Sequence, residues 1–331
     1  MVILFQSKPS IIACGAVAGP LERKSVFNSY FDSIVEDERW NQTTNEQGHS
    51  KMISEACDIV IKKANIKNLD IDFFLSGDLV NQMTPTNFAA RELACSFIGL
   101  FSACATSVSS VIIASLLTDL GASQLAIAGA SSQHNAIERQ FRYPINYGAQ
   151  KPATSQWTVT AAGYALIGKH KPDHPSVIAG TIGKVVDYGE VNPFHMGGAM
   201  APAAFDTITS HLKKRKQKIS DYDLIMTGDL GKIGLKILKA MLAQSGVKQD
   251  ELQLLRDAGA EFYGEDESFQ AGASGAGCSA AVFFSYIEQQ LKTGRFNRVL
   301  LVATGALLSP LSFQQGETIP CTAHAIEITM E

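Results

Sequence analysis

The sequence predicts a duplicated α/β fold, in which two pseudo-equivalent halves each pack helices against a mostly parallel sheet. Three observations recur in the same order in both halves. An apolar run of strand length ends in Gly-Asp-Leu twice, as Ile71-Asp-Phe-Phe-Leu-Ser-Gly-Asp-Leu79 and as Tyr222-Asp-Leu-Ile-Met-Thr-Gly-Asp-Leu230. A cysteine among small residues opens a helix twice, at Ala103-Cys104-Ala105 and across Ser274 to Cys278. Each of those helices stops at a glycine, and a further apolar strand follows: Leu125-Ala-Ile-Ala-Gly129 beyond Gly121, and Val299-Leu-Leu-Val-Ala303 beyond Gly294. Continuous apolar runs suit strands buried on both faces, and their alternation with helical patterns marks a crossover-connected sheet.

The elements follow in chain order. Ile53, Ala56, Cys57, Val60, Ile61 and Ala64 recur at helical spacing before the first Gly-Asp-Leu strand. A helix over Thr86 to Cys95 comes next, then a strand over Ser96 to Phe101 that turns at Cys104 into an apolar helix. The glycines at Gly121 and Gly294 are helix C-cap signals. Beyond Gly129 the stretch carrying Arg139 and Arg142 reads as a loop. In the second half a weaker helix with Ile208 and Leu212 ends in lysines, and Leu235 to Gln244 forms the helix after the second Gly-Asp-Leu. The halves are placed at residues 1–175 and 176–331.

Composition narrows the function. The chain has 331 residues, 46% of them hydrophobic, a net charge of −4 and only 18% charged residues, so it lacks the basic footprint of a nucleic-acid binder. The segment Met1-Val-Ile-Leu-Phe-Gln-Ser-Lys8 lacks the pattern of a signal peptide. No segment supplies the roughly 20 apolar residues of a membrane span, so any membrane role is expected to be peripheral. The six cysteines, Cys14, Cys57, Cys95, Cys104, Cys278 and Cys321, contain no Cys-x-x-Cys pair, which argues against a disulfide framework or a zinc site. Neither a metal nor a cofactor is implied.

Cys104 sits where a strand turns into a helix. Unpaired N–H groups and the positive end of the helix dipole at such a place lower a thiol's pKa and suit a nucleophile. Ala103-Cys104-Ala105-Thr106-Ser107 resembles the nucleophile turn of thiolases and ketoacyl synthases. That resemblance implies a duplicated thiolase-like αβαβα five-layer fold, and a homodimer. The same resemblance places a histidine at the exit of the second-half strand, where this chain has Thr227-Gly228-Asp229-Leu230. It places an Asn or a second His in the loop that here reads Gly272-Ala-Ser-Gly-Ala-Gly277. Without those partners Claisen chemistry loses most of its electrostatic support, so turnover is not expected.

Longer strings narrow the resemblance. They include Leu75-Ser-Gly-Asp-Leu-Val-Asn-Gln82, Ser131-Ser-Gln-His134-Asn135, Glu138-Arg-Gln-Phe-Arg-Tyr-Pro144, Ala199-Met-Ala-Pro202 and Ile319-Pro-Cys321-Thr-Ala-His324. Together they closely resemble the stage V sporulation protein AD family of spore-forming bacteria. The resemblance implies binding of dipicolinic acid (pyridine-2,6-dicarboxylate), free or as its calcium chelate, during uptake into the developing spore. Its implied partners are the membrane proteins of the uptake channel, and its implied location is the periphery of the spore inner membrane. The alternative is an acyltransferase that uses Cys104 as nucleophile with an unorthodox partner such as His324.

A flat dianion needs planar donors and an apolar face. The candidate ligand-binding residues are Cys104, Arg139, Arg142, His134, Asn135, Asp229 and His324. Arg139 and Arg142, near Phe141, Tyr143 and Tyr147, suit a dicarboxylate equally as well as they suit ion pairs with nearby acids. His134 and Asn135 are pocket candidates against a plain hydrogen-bonding role. Asp78 and Asp229 end equivalent strands; helix capping is the favoured role for both, with contact to a chelated calcium as the alternative. Cys104 lines the pocket as a remnant nucleophile. His170, His174 and His195 form no recognisable constellation, and Lys213 to Lys218 suits either a helix terminus or an anionic surface.

Overall fold

The computed structural model describes residues 1–141 and 151–330. Arg142, Tyr143 and Tyr147 therefore lie outside the described residues. The first half supplies strands β1 (Ser10–Ala18), β2 (Phe73–Ser76), β3 (Ser96–Gly99), β4 (Leu125–Ser132) and β5 (Ala161–Gly168). The second supplies β6 (Ser176–Ile182), β7 (Leu224–Thr227), β8 (Leu255–Asp257), β9 (Arg298–Ala306) and β10 (Cys321–Thr329). Their hydrogen-bonded order is β3-β2-β4-β5-β1-β6-β10-β9-β7-β8. The two Gly-Asp-Leu strands, β2 and β7, thus take equivalent places, each between a parallel edge strand and a parallel inner strand.

Two details differ from the sequence expectation. In each half one strand is reversed: β5 runs antiparallel to β4 and β1, and β10 antiparallel to β9 and β6. Strand direction has no local residue signature, so alternation of strands and helices could not reveal it. The halves also share hydrogen bonds, through the pairing of Ser10 in β1 with Ser176 in β6.

The helices are α1 (Asn45–Ala64), α2 (Thr84–Leu93), α3 (Thr106–Asp119), α4 (His134–Phe141), α5 (Met196–Arg215), α6 (Gly231–Gln244), α7 (Ala258–Glu261) and α8 (Ala276–Val282). A wider turn over Phe283–Ile287 joins α8 to α9 (Glu288–Lys292), and α10 spans Pro310–Gln314. Helix α4 corrects the reading of the Arg139 region as a loop, since Ile137 and its neighbours recur at helical spacing. Helices α1 and α2 cover the outer side of the first half, and α5 and α6 that of the second. Between them α3 packs on β4, β6, β9 and β10 as well as on α8. Among the described residues the apolar side chains form a central core holding Val108, Ile112, Ala276 and Ala280, one core under each outer helix pair, and a small cluster of Val80, Ala136 and Ile137. Small residues let the central helices approach, and Ser107 Oγ meets Ser279 Oγ at 2.7 Å across them. Gly77 is required by packing, because a Cβ there would sit 1.9 Å from the Leu100 carbonyl oxygen.

Candidate functional site

The site begins at the turn between β3 and α3. Ala103 holds a left-handed backbone with φ 48°, a conformation that strains a residue with a Cβ. The turn is braced from within. Ala105 N–H donates to the Ser102 carbonyl at 3.0 Å, Thr106 Oγ1 donates to that of Ala103 at 2.7 Å, and Ser102 N–H donates to Thr106 Oγ1 at 3.1 Å. Gly305 at the end of β9 admits this elbow, since a Cβ there would lie 2.4 Å from the Ser102 oxygen. Strain and close packing together present the Cys104 sulfur at the floor of a cavity.

The groups at that sulfur are an acid and an amide. Asp229 and the Gly275 amide lie beside the Cys104 thiol, and Gly275 N–H donates to the Asp229 carboxylate at 3.1 Å. Asp229, fully buried at the exit of β7, accepts from Thr304 Oγ1 at 2.8 Å, Ser274 Oγ at 3.2 Å and Gly275 N–H at 3.1 Å. Burial pushes the thiol well above its ordinary pKa, and the neighbouring Asp229 carboxylate adds to the push. The lowered pKa expected from the helix dipole is therefore overturned: desolvation and a buried acid outweigh the dipole.

The two repeat aspartates have different duties. Asp78 accepts from Val80 N–H at 2.7 Å and Thr86 N–H at 3.0 Å, and so caps α2 as expected. In the second half that work falls to Asp257 at the end of β8, which accepts from Leu230 N–H and Gly231 N–H, each at 2.9 Å, and from Ala260 N–H at 2.7 Å. The favoured capping role thus fails for Asp229, because a neighbouring strand already satisfies those amides.

Above Cys104 lies a cavity of about 300 Å³. Its walls are largely apolar, from Leu79, Phe101, Ile137, Phe194, Met196, Leu308 and Phe313, with Glu138, Thr158, Ser274 and Ser309 as polar points. Thr158 Oγ1 donates to Glu138 Oε1 at 2.9 Å. No histidine among the described residues lines this space.

The other candidates are dispersed around it. His134 opens α4, with Nδ1 2.9 Å from the Thr158 carbonyl and its ring stacked on Trp157 at 4.2 Å. Asn135 hydrogen-bonds Glu38. Arg139 pairs with Glu46 of α1 and does not line the cavity. His324 lies on β10 and does not line it either. Its Nδ1 accepts from Gly183 N–H at 3.2 Å, and burial pushes its pKa down to about 4, so the ring is neutral. The structure brings Cys104 and Asp229 together and sets α4 as a wall, while Arg139 and His324 face elsewhere. Residue typing missed Glu138 and Thr304; the register of Ile137 and Glu138 on a helix was the signal for the first.

The family model described as Stage V sporulation protein AD matches residues 1–329. The stage V sporulation protein AD of Bacillus subtilis (strain 168) is 42% identical over 327 residues, covering 98% of this chain and 95% of that protein. Among solved structures, 3-oxoacyl-[acyl-carrier-protein] synthase III from Aquifex aeolicus superposes with a TM-score of 0.61 at 12% identity, over 97% of this chain and 99% of that one. Cerulenin-bound OleA of Xanthomonas campestris gives 0.63 at 13%, over 99% and 98%. At such identities these likenesses show the thiolase-like fold alone.

Proposed function

The chain belongs to the stage V sporulation protein AD family, with a thiolase-like fold, and on that premise we propose that it binds dipicolinic acid in the cavity above Cys104 during spore loading. The observation that supports this most is the cavity itself: a largely apolar space floored by a thiol that burial, with Asp229 beside it, keeps protonated. Its size suits a single aromatic ring with two carboxyl groups, and a neutral thiol does not repel them. Glu138 lines the cavity and Asp229 lies behind its floor, and acids so placed favour a ligand whose carboxylates are already neutralised, as in the calcium chelate. The channel's membrane proteins, a second copy of the chain and the inner membrane surface complete this reading as partners and location. No helix among the described residues is long and apolar enough to cross a membrane.

Titration calorimetry with dipicolinate, with and without equimolar calcium, tests the proposal. Saturable heat that Leu308→Trp, which fills the cavity, abolishes is the expected result. Absence of heat in the folded parent under both conditions overturns it.

A second reading, acyl transfer from Cys104, is favoured by the strained elbow at Ala103 and by the fold it shares with condensing enzymes. It predicts a stable acyl mass on Cys104 after incubation with acyl thioesters.

A further inference from the structure

We infer that the end of the sheet opposite the cavity is a docking face for an anionic lipid surface, which leaves the cavity mouth turned away from the bilayer. This rests on the reading above for its membrane setting and adds the face that meets the lipid. Strand pairing, charge and exposure carry it.

Strands β4, β7 and β9 run toward the cavity, where α4 follows β4, Asp229 follows β7 and Gly305 closes on the Cys104 turn. At their other end one row of paired residues crosses both halves: Leu125 with Gly168, Gly168 with Ser10, Ser10 with Ser176, Ser176 with Thr329, and Thr329 with Arg298. Lysines follow this row. Lys8 lies just before β1 and Lys169 and Lys171 just after β5, where Lys171 N–H donates to Ser10 Oγ at 2.9 Å. The last turn of α5 and the chain leading into β7 add Lys213, Lys214, Lys216 and Lys218. All of these lysines are exposed, and none forms an ion pair among the described residues. Asp72, Asp119, Asp173, Asp221 and Asp223 offset part of their charge, and all but Asp173 turn oxygens to backbone N–H groups of this end. The excess stays positive on a chain whose net charge is −4.

The cavity end differs. Lys24, Arg139 and Lys184 there are ion-paired with Asp266, Glu46 and Asp206, while Glu138 lines the cavity and Glu190 sits 2.8 Å from His195 next to its wall. Compensation of a helix dipole accounts for Lys213 and Lys214, but Lys8, Lys169 and Lys171 follow strands or loops. Charges spread along a row of strand ends match an extended anionic surface, to which each lysine adds its own attraction.

Sedimentation of the full chain with lipid vesicles tests this. The parent is expected to sediment with vesicles of equal parts phosphatidylglycerol and phosphatidylcholine, to stay in solution with phosphatidylcholine alone, and to be released as salt screens the contact. Joint Lys213→Gln, Lys214→Gln, Lys216→Gln and Lys218→Gln is expected to lower the bound partition at least tenfold. Lys169→Gln with Lys171→Gln is expected to lower it at least threefold, and decides the matter should the first variant fail to fold. Lys24→Gln with Lys184→Gln removes as much charge from the cavity end as the second variant removes from the other, and is expected to stay within twofold of the parent. A parent that sediments equally with both vesicles or with neither overturns the inference. So do folded variants of the lysine row that bind within twofold of the parent, or an equal loss in the cavity-end control. Retention by double-stranded DNA but not by the anionic vesicles overturns it in favour of a nucleic acid. Dipicolinate calorimetry stands apart from this readout: the lysine-row variants are expected to match the parent there, and absence of heat in the parent removes the ligand, not the docking face.

Discussion

Glu22 gives the chain a pH-dependent stability that can be worked out from its surroundings. Its side chain is 1% exposed, and Oε1 accepts from Thr160 N–H at 3.0 Å and from Tyr263 Oη–H at 3.1 Å, while Oε2 has no hydrogen-bond partner among the described residues. Burial raises its pKa from 4.5 to about 7 against these hydrogen bonds. The folded state therefore keeps a proton that the unfolded chain releases above pH 4.5. The associated stability is fully present below that value and is lost as pH rises through about 7. The rise from 4.5 to about 7 corresponds to roughly 3 kcal/mol. Glu22→Gln retains the acceptor and removes the titration. Urea unfolding of parent and variant across pH 4 to 9 is the assay. The variant is expected to gain on the parent between pH 4.5 and 7, by up to roughly 3 kcal/mol, and to hold that margin above. Other buried acids, such as Asp257, titrate in both proteins and cancel in the difference. Parallel pH profiles for parent and variant would refute the reasoning.

Two further outcomes follow from other places. Arg142→Ala is expected to weaken dipicolinate binding at least tenfold by calorimetry, whereas Arg139→Ala, whose guanidinium faces Glu46, is expected to leave it within twofold. Equal effects of the two would refute this assignment. Glu327→Gln should destabilise the second half by about 3 kcal/mol in urea melts, because it leaves Arg215 without the buried carboxylate 2.6 Å from its Nε. Burial works to raise the Glu327 pKa, but hydrogen bonds from His211 and Arg215 bring it down to about 2, so the loss should persist from pH 7 to pH 5.

Much of the architecture was legible because it is written twice. Gly77 and Gly228 mark equivalent strands since each must let a neighbour approach closely, Leu100 in one half and Ser279 in the other. The turn at Cys104 was legible from small residues between a strand and an apolar helix. The reversed strands β5 and β10 were not, since direction is settled by which end of the sheet the chain returns to. The state of the thiol was not legible either. Dipole and small neighbours are local to Cys104, but Asp229 and Thr304 reach it only through tertiary structure. Asp229 could not be told from a capping residue while Asp257, its replacement in that duty, stood on a different strand.

That transfer of duty separates two kinds of mutational freedom. Asp78 is tied to the integrity of α2, so a substitution there changes the fold before it changes anything else. Position 229 is released from that duty toward α6, because Asp257 holds the start of that helix, and its carboxylate instead accepts from Thr304, Ser274 and Gly275 at the start of α8. A lineage can therefore exchange the residue beside Cys104 without disturbing the start of α6. Duplication supplied the spare aspartate position, and Asp257 is what makes it free to evolve.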